Sequence, residues 1–287
     1  MSDRVRISVL TDDEVERIHQ ATLDVLQRTG VRVSSDEALD LLRASGCEVV
    51  GDLVRIPPHI VEEALRAAPS GFQLYDRNGE NPLPIGDGGP VHYGTGVTNP
   101  NFRDLDTGER RPTRVQDIRD AARLCDALTG YDWIMPLGSV QDVPQQAADV
   151  HEFEAAVTNT TKPIVFIASD RRGLQDIVEM ASVVAGGQDR LLAKPFIVSY
   201  PEPASPLFHV KEAVEKLLYS AEIGLPIVYT PGLSAGGTAP VTMAGALTTA
   251  NAECLSGLVM AQLVNPGVPF TVGGVLTIMD MAKGTFS

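Results

Sequence analysis

Cysteine is scarce in this 287-residue chain, and its three copies, Cys47, Cys125 and Cys254, stand far apart with no C-x-x-C pair. An odd, scattered set of thiols excludes a disulfide framework and a zinc ribbon, so each reads as a small buried apolar side chain. No apolar run approaches the roughly 18 residues of a membrane span. The opening Met1 to Leu10 alternates charge with apolar residues and forms no signal-peptide core, so a cytoplasmic protein without a membrane partner is expected. Basic charge is also short: 23 Lys and Arg stand against 37 Asp and Glu, a net charge of -14, and only Arg110, Arg111 and Arg114 gather locally. That balance repels a phosphate backbone and excludes nucleic acid as a partner.

Two familiar site patterns are missing as well. Asp149-Val-His-Glu152 lacks the second histidine of H-E-x-x-H and opens a helix, where acidic residues are favoured on other grounds, so no metal site is expected. A doubly wound nucleotide fold needs a glycine-rich turn leading from its first strand into a helix. Here Gly94-Thr-Gly96 leads instead to the polar stretch Arg103 to Arg111.

What is present is ample apolar material: 44% of residues are hydrophobic and 21% charged, enough for a full-sized core. Thr11-Asp-Asp-Glu14 is a capping box, followed at helical spacing by Val15, Ile18, Thr22, Val25 and Leu26 and stopped by Gly30. Ser34-Ser-Asp-Glu37 opens a second helix reaching Gly46, and Pro57-Pro58 a third reaching about Ala68. Glu48 to Ile56 reads as a hairpin turning at Gly51-Asp52, and Asp76 to Pro90, rich in Gly, Pro and Asn, as a boundary. Residues 1–88 are thus expected to form an N-terminal helical region with a small hairpin.

Beyond it, short apolar strands alternate with longer amphipathic helices. Four strands open on proline, in Lys162-Pro-Ile-Val-Phe, Lys194-Pro-Phe-Ile-Val, Leu225-Pro-Ile-Val-Tyr and Val268-Pro-Phe-Thr-Val, each suited to a parallel strand buried on both faces. Val91 to Gly96 and Trp133 to Ser139 supply two earlier strands. Helices are expected at about Thr113 to Leu128 (with Thr113-Arg-Val-Gln116 as capping box), Ala147 to Thr158, Arg172 to Val184, Pro206 to Ile223 and Pro240 to Leu263. The alternation predicts an α/β fold, a (β/α)8 TIM barrel in preference to an open sheet. Since the sequence stops after about the sixth strand, residues 89–287 are expected to be an incomplete barrel.

In such a barrel the active site lies at the carboxyl ends of the strands. The residues expected there are Tyr93, Thr95 and Thr98; Gln141 and Asp142; Ser169 and Asp170; Tyr200, Glu202 and Ser205; Tyr229 and Ser234 to Thr238; and Gly273, Gly274 and Asp280. Tyrosines with Glu202 suit a quaternary ammonium group, whose charge is attracted by aromatic faces. Gly236, Gly237 and Thr238, read as preceding a helix, suit a carboxylate or phosphate, or else form a plain tight turn. His92, beside the end of the first strand, is expected in the core, with a substrate contact or a proton carrier as the alternatives. Lys162 and Lys194 precede their strands and belong to the opposite, non-catalytic face.

Taken in order, these residues resemble the trimethylamine methyltransferase family. The likeness is carried by Ser234-Ala-Gly-Gly-Thr-Ala-Pro-Val-Thr-Met-Ala-Gly-Ala-Leu, Asn251-Ala-Glu253, Ala261-Gln-Leu and Asn265-Pro-Gly-Val-Pro269. Val91-His-Tyr-Gly-Thr-Gly96, Leu105-Asp-Thr-Gly-Glu-Arg-Arg-Pro112, Asp149-Val-His-Glu152, Ser205-Pro-Leu207 and Thr29-Gly-Val-Arg-Val33 add to it. The resemblance implies a TIM barrel and methyl transfer from a tertiary or quaternary amine, trimethylamine or a glycine betaine-like compound, to the Co(I) corrinoid of a separate corrinoid protein. It implies no tightly bound cofactor, the corrinoid being supplied by that partner, and relatives that continue through two further barrel units. Catalytic residues stay unassigned, and substrate contacts are expected from Tyr93, Thr95, Tyr200, Glu202, Tyr229, Gly236, Gly237 and Thr238. A homo-oligomer stays open. So do a barrel that binds a small amine without turnover and a lyase, although a lyase calls for a lysine or metal ligands at the strand ends, where the sequence points to neither.

Overall fold

The Thr11 hydroxyl accepts from the Glu14 amide at 3.3 Å while the Glu14 carboxylate accepts from the Thr11 amide at 2.8 Å, which starts α1 (Asp12–Asp24). The computed structural model describes residues 8–86, 88–96 and 99–286. After α1 the helix widens into one π turn, Val25–Thr29, and stops at Gly30. Glycine is required there twice over: φ is +80°, and a Cβ would lie 2.4 Å from the Val54 carbonyl oxygen. Next come β1 (Val31–Val33), α2 (Asp36–Ala44, capped by Ser35), the hairpin β2 (Glu48–Val50) and β3 (Leu53–Arg55), and α3 (Pro58–Ala67) with proline in its first turn.

The expected boundary after Asp76 is instead structured: β4 (Gly71–Leu74) pairs antiparallel with β5 (Leu83–Gly86). Burial of Phe72, Leu74, Leu83 and Ile85 against Met135, Val165 and Val198 overrides the local Gly, Pro and Asn content. A second short hairpin, β6 (Asn101–Arg103) and β7 (Arg110–Pro112), leads into α4 (Val115–Ala127). The expected capping box there is shifted by one residue. Asp117, not Gln116, reaches back to the Arg114 amide at 2.8 Å, because the Thr113 hydroxyl donates to the Asn99 carbonyl.

The remaining elements are α5 (Ala148–Val157), β8 (Ile164–Phe166), α6 (Arg171–Ala185), α7 (Gln188–Ala193), β9 (Ile197–Ser199), β10 (Phe208–His209) and α8 (Lys211–Glu222). They are followed by β11 (Ile227–Tyr229), β12 (Gly232–Ala235), α9 (Met243–Val264), β13 (Phe270–Val272), β14 (Val275–Asp280) and β15 (Thr285–Phe286). The helix expected from Pro206 starts only at Lys211, because Phe208 and His209 join β1 in parallel.

Strands β8, β9, β11 and β13 form one parallel sheet in chain order. Single parallel bridges, Ile134 to Ile164 and Gly94 to Trp133, add the two earlier segments on the β8 side. Pro163, Pro195, Pro226 and Pro269 stand at or just before the strand starts, where each carbonyl still accepts a hydrogen bond and the missing amide leaves no gap in the ladder. Alternation sorts the side chains. Ile134, Ile164, Phe166 and Ile197 face a core shared with α4 to α6, whereas Met135, Val165 and Val198 face the β4–β5 hairpin. Helices α1, α3, α8 and α9 bury a further core with β11 around Leu26, Val61, Leu217 and Val259. Among the described residues no helix is long and apolar enough to cross a membrane.

Candidate functional site

The register of the parallel sheet decides which side chains meet at the carboxyl ends of its strands. Ile227 pairs with Ser199, so Val228 lies level with Tyr200, and both belong to the cluster on the hairpin side. Thr230, two residues beyond Val228, lies beside the Tyr200 hydroxyl. Burial raises the Tyr200 phenol above its ordinary range, the Glu202 charge adds to this, and Thr230 opposes it. Glu202 keeps an exposed face, yet nearby protein raises its carboxyl through desolvation while the Lys216 ammonium pulls it down.

Lys216 is the residue that sequence reasoning missed, and it corrects the expectation of no lysine near the strand ends. It projects from α8, is only 8% exposed, and donates through Nζ to the Ala168 carbonyl just past β8 at 2.5 Å. Burial lowers its pKa against the opposing pull of Glu202, Asp149, Asp170 and Glu212. The signal was available: Ala213, Lys216, Leu217 and Ser220 fall on the buried stripe of α8 at helical spacing.

Asp149 and Glu152 latch loops. Asp149 accepts from the Ser169 amide at 2.6 Å, and Glu152 accepts from the Val140 amide at 2.9 Å, so α5 ties down two loops at the strand ends. Burial pushes the Glu152 carboxyl up to about 7, with the Val140 amide opposing and Asp149 reinforcing. A Cβ on Gly173 would lie 2.3 Å from an Asp149 oxygen, so that carboxylate needs the glycine beside it.

A second polar layer lies behind the sheet. Fully buried Glu253 on α9 accepts from the Ser205 hydroxyl and the Leu207 amide, both at 2.7 Å, fixing the segment with the cis Ser205-Pro206 bond. The Asn251-Ala-Glu253 and Ser205-Pro-Leu207 motifs therefore meet. His209 bridges the hydroxyls of Tyr229 at 2.6 Å and Ser256 at 2.8 Å.

The expected site residues are thus only partly brought together. Tyr200 and Glu202 stand at one strand end. Tyr229 is completely buried on the opposite face, in the helix-side core, so it does not share a cage with Tyr200. Tyr93 is 65% exposed, and its backbone is held by Asp132. The Thr95 hydroxyl both donates to the Met135 carbonyl and accepts from its amide, joining two segments of the sheet. Thr98 lies outside the described residues. The amides of Gly236, Gly237 and Thr238 all donate to backbone carbonyls of the same turn, and α9 begins only at Met243, so that turn presents no free amides to an anion. His92 binds the Pro84 carbonyl at 2.9 Å, Lys162 the carbonyls of Cys125 and Leu128, and Lys194 that of Gly79.

A family model described as trimethylamine methyltransferase matches residues 2–287. The chain is 35% identical over 280 residues to a trimethylamine methyltransferase MttB of Desulfitobacterium hafniense, covering 96% of this chain and 56% of the relative. It is 32% identical over 287 residues to a glycine betaine methyltransferase of Desulfitobacterium hafniense strain Y51, covering 98% and 59%. Against MttB of Methanosarcina thermophila the figures are 35% over 293 residues, 98% and 59%. The chain therefore spans less than two thirds of the length of the relatives it matches.

Proposed function

The chain belongs to the trimethylamine methyltransferase family, and from that premise we propose that it forms part of an enzyme moving a methyl group from a tertiary or quaternary amine to the Co(I) corrinoid of a partner protein. The parallel neighbours that follow chain order support reading residues 89–287 as an arc of a (β/α)8 barrel and residues 1–88 as an N-terminal region packed against it. The protein works in the cytoplasm without a tightly bound cofactor, its corrinoid arriving with the partner.

The observation that carries this reading is Tyr200 beside Glu202 at the carboxyl end of β9. An aromatic face with a carboxylate attracts an ammonium whose charge is spread over methyl groups. A quaternary nitrogen already bears the charge that makes a neutral amine its leaving group, so the enzyme has mainly to align the methyl carbon and exclude water. Burial raises the Glu202 carboxyl, and the Lys216 ammonium offsets part of that rise in favour of the ionised form that the cation needs. Trimethylamine itself, if neutral, requires activation that these residues do not provide, so the site suits a quaternary amine better.

Isothermal titration of the complete protein with glycine betaine and with trimethylamine tests the reading. Tyr200→Ala and Glu202→Gln should each weaken binding at least tenfold, and unchanged affinity in both would overturn the assignment of this cage.

One observation favours a second reading. Lys216 at the strand ends suits a lyase working through a Schiff base, although carboxylates around it favour the protonated ammonium. Reductive trapping of pyruvate on Lys216 with borohydride would support a lyase over methyl transfer.

A further inference from the structure

At the opposite end of the sheet lies a cavity of about 570 Å³ that the methyl-transfer reading does not use. Its walls come from residues 77–79 between β4 and β5, the last turn of α6, α7, and the approach to β9. That volume falls within the range of about 300 to 1,000 Å³ typical of small-molecule sites. Arg77, Arg190 and Lys194 line it, and none has a carboxylate within ion-pair distance among the described residues. In a chain of net charge -14, three positive side chains left unneutralised around one cavity run against the overall balance.

Two of these cations are held in place by carbonyls, which fix position without cancelling charge. Arg77 donates one guanidinium N–H to the Val157 carbonyl, and its backbone amide binds Thr161. Lys194 donates to the Gly79 carbonyl at 2.7 Å and lies over the Tyr75 ring. The nearest buried acid, Asp76, is taken up within its own loop by the amides of Asn78 and Glu80 and the side chain of Asn81. The remaining N–H groups of Arg77 and those of Arg190 have no protein acceptor among the described residues. Guanidinium forks match phosphoryl oxygens in two-point contacts, and Phe196 and Ala185 offer an apolar wall beside them. The carboxyl end of α6 opposes an anion with about half a charge, and Asp76, bound only by neutral amides, adds its formal negative charge; together these stay below the three positive charges of Arg77, Arg190 and Lys194.

We propose that this cavity binds a small phosphoryl-bearing anion with an apolar portion, at the end of the sheet away from Tyr200 and Glu202. Isothermal titration of the protein with pyrophosphate at constant ionic strength provides the test, with malonate as a dicarboxylate probe. Saturable binding of pyrophosphate is expected, tighter than that of malonate. Arg190→Gln and Arg77→Gln should each weaken it at least tenfold, about 1.4 kcal/mol. Arg103→Gln, an exposed arginine on the distant β6–β7 hairpin, should leave it unchanged. Should Arg77→Gln lower the unfolding temperature, Arg190→Gln decides, because its side chain is exposed and holds no backbone carbonyl. Absence of saturable binding, tighter binding of malonate, or equal weakening by Arg103→Gln would overturn the proposal.

Discussion

The Tyr229 hydroxyl and Nδ1 of His209 lie 2.6 Å apart in a layer closed to solvent, with the Ser256 hydroxyl 2.8 Å from the other ring nitrogen. A neutral imidazole has one donor and one acceptor nitrogen, and two hydroxyls satisfy both. Burial pushes the His209 pKa down to about 4. Tyr229→Phe strips one partner from a buried ring and should destabilise the protein by roughly 1–3 kcal/mol in urea unfolding. Amine affinity should change less than twofold, because Tyr229 faces away from Tyr200. A large loss of affinity with intact stability would return Tyr229 to the cage.

The same histidine sets an acid limit. Its folded pKa lies below the ordinary value of 6.5, so the unfolded chain binds the proton more readily. The stability contributed by neutral His209 is complete above that value and is lost as pH falls toward about 4. His209→Gln should flatten this part of the pH dependence of the unfolding free energy.

Glu152 acts with the opposite sign. Its carboxyl is raised from 4.5 to about 7, so the folded state holds the proton more tightly and stability falls as pH rises through that interval. Glu152→Gln keeps an acceptor for the Val140 amide and removes the buried charge. It should exceed the native protein in stability by roughly 1–3 kcal/mol at pH 8, with most of the difference gone at pH 5. Urea unfolding at the two pH values measures this, and a variant that is less stable at pH 8 would contradict it.

A pair of glycines in one motif separates packing from chemistry. A Cβ on Gly94 would lie 2.1 Å from the Trp133 ring, whereas among the described residues nothing lies within 4 Å of one on Gly96. Gly94→Ala should therefore destabilise by about 1–3 kcal/mol through forced displacement of the indole, and Gly96→Ala by far less. Thermal unfolding of the two variants gives the comparison.

These contrasts also show how far the chain could be read before its structure. Thr11 with Glu14, the glycine stop at Gly30 and the prolines at the strand starts are local devices, and local chemistry specifies them. Phe208 with His209 and Leu83 with Ile85 became strands through distant partners, β1 in one case and the Met135, Val165 and Val198 cluster in the other. The faces of Tyr200 and Tyr229 depend on the Ile227 to Ser199 register, which no single strand contains. Lys216 shares α8 with the exposed Lys211, and only the packing of that helix turns it inward beneath Ala168.

Lys216 yields a further prediction about pH. Amine binding that needs ionised Glu202 should strengthen as pH rises through the raised carboxyl pKa. Removing the Lys216 charge should move that rise to higher pH, because only desolvation then acts strongly on Glu202. Titrations of Lys216→Met across pH should show the shift, and Glu202→Gln should abolish the dependence. A Lys216→Met profile that coincides with the native one would remove Lys216 from the site.

Methyl transfer itself tests the central claim most directly. The complete protein, mixed with glycine betaine or trimethylamine and with cob(I)alamin, should convert the corrinoid to its methylated form, followed by the change in visible absorbance. Glu202→Gln should lose most of that rate. No methylated corrinoid from any methylated amine, under conditions where the protein is folded and the amine binds, would contradict the account.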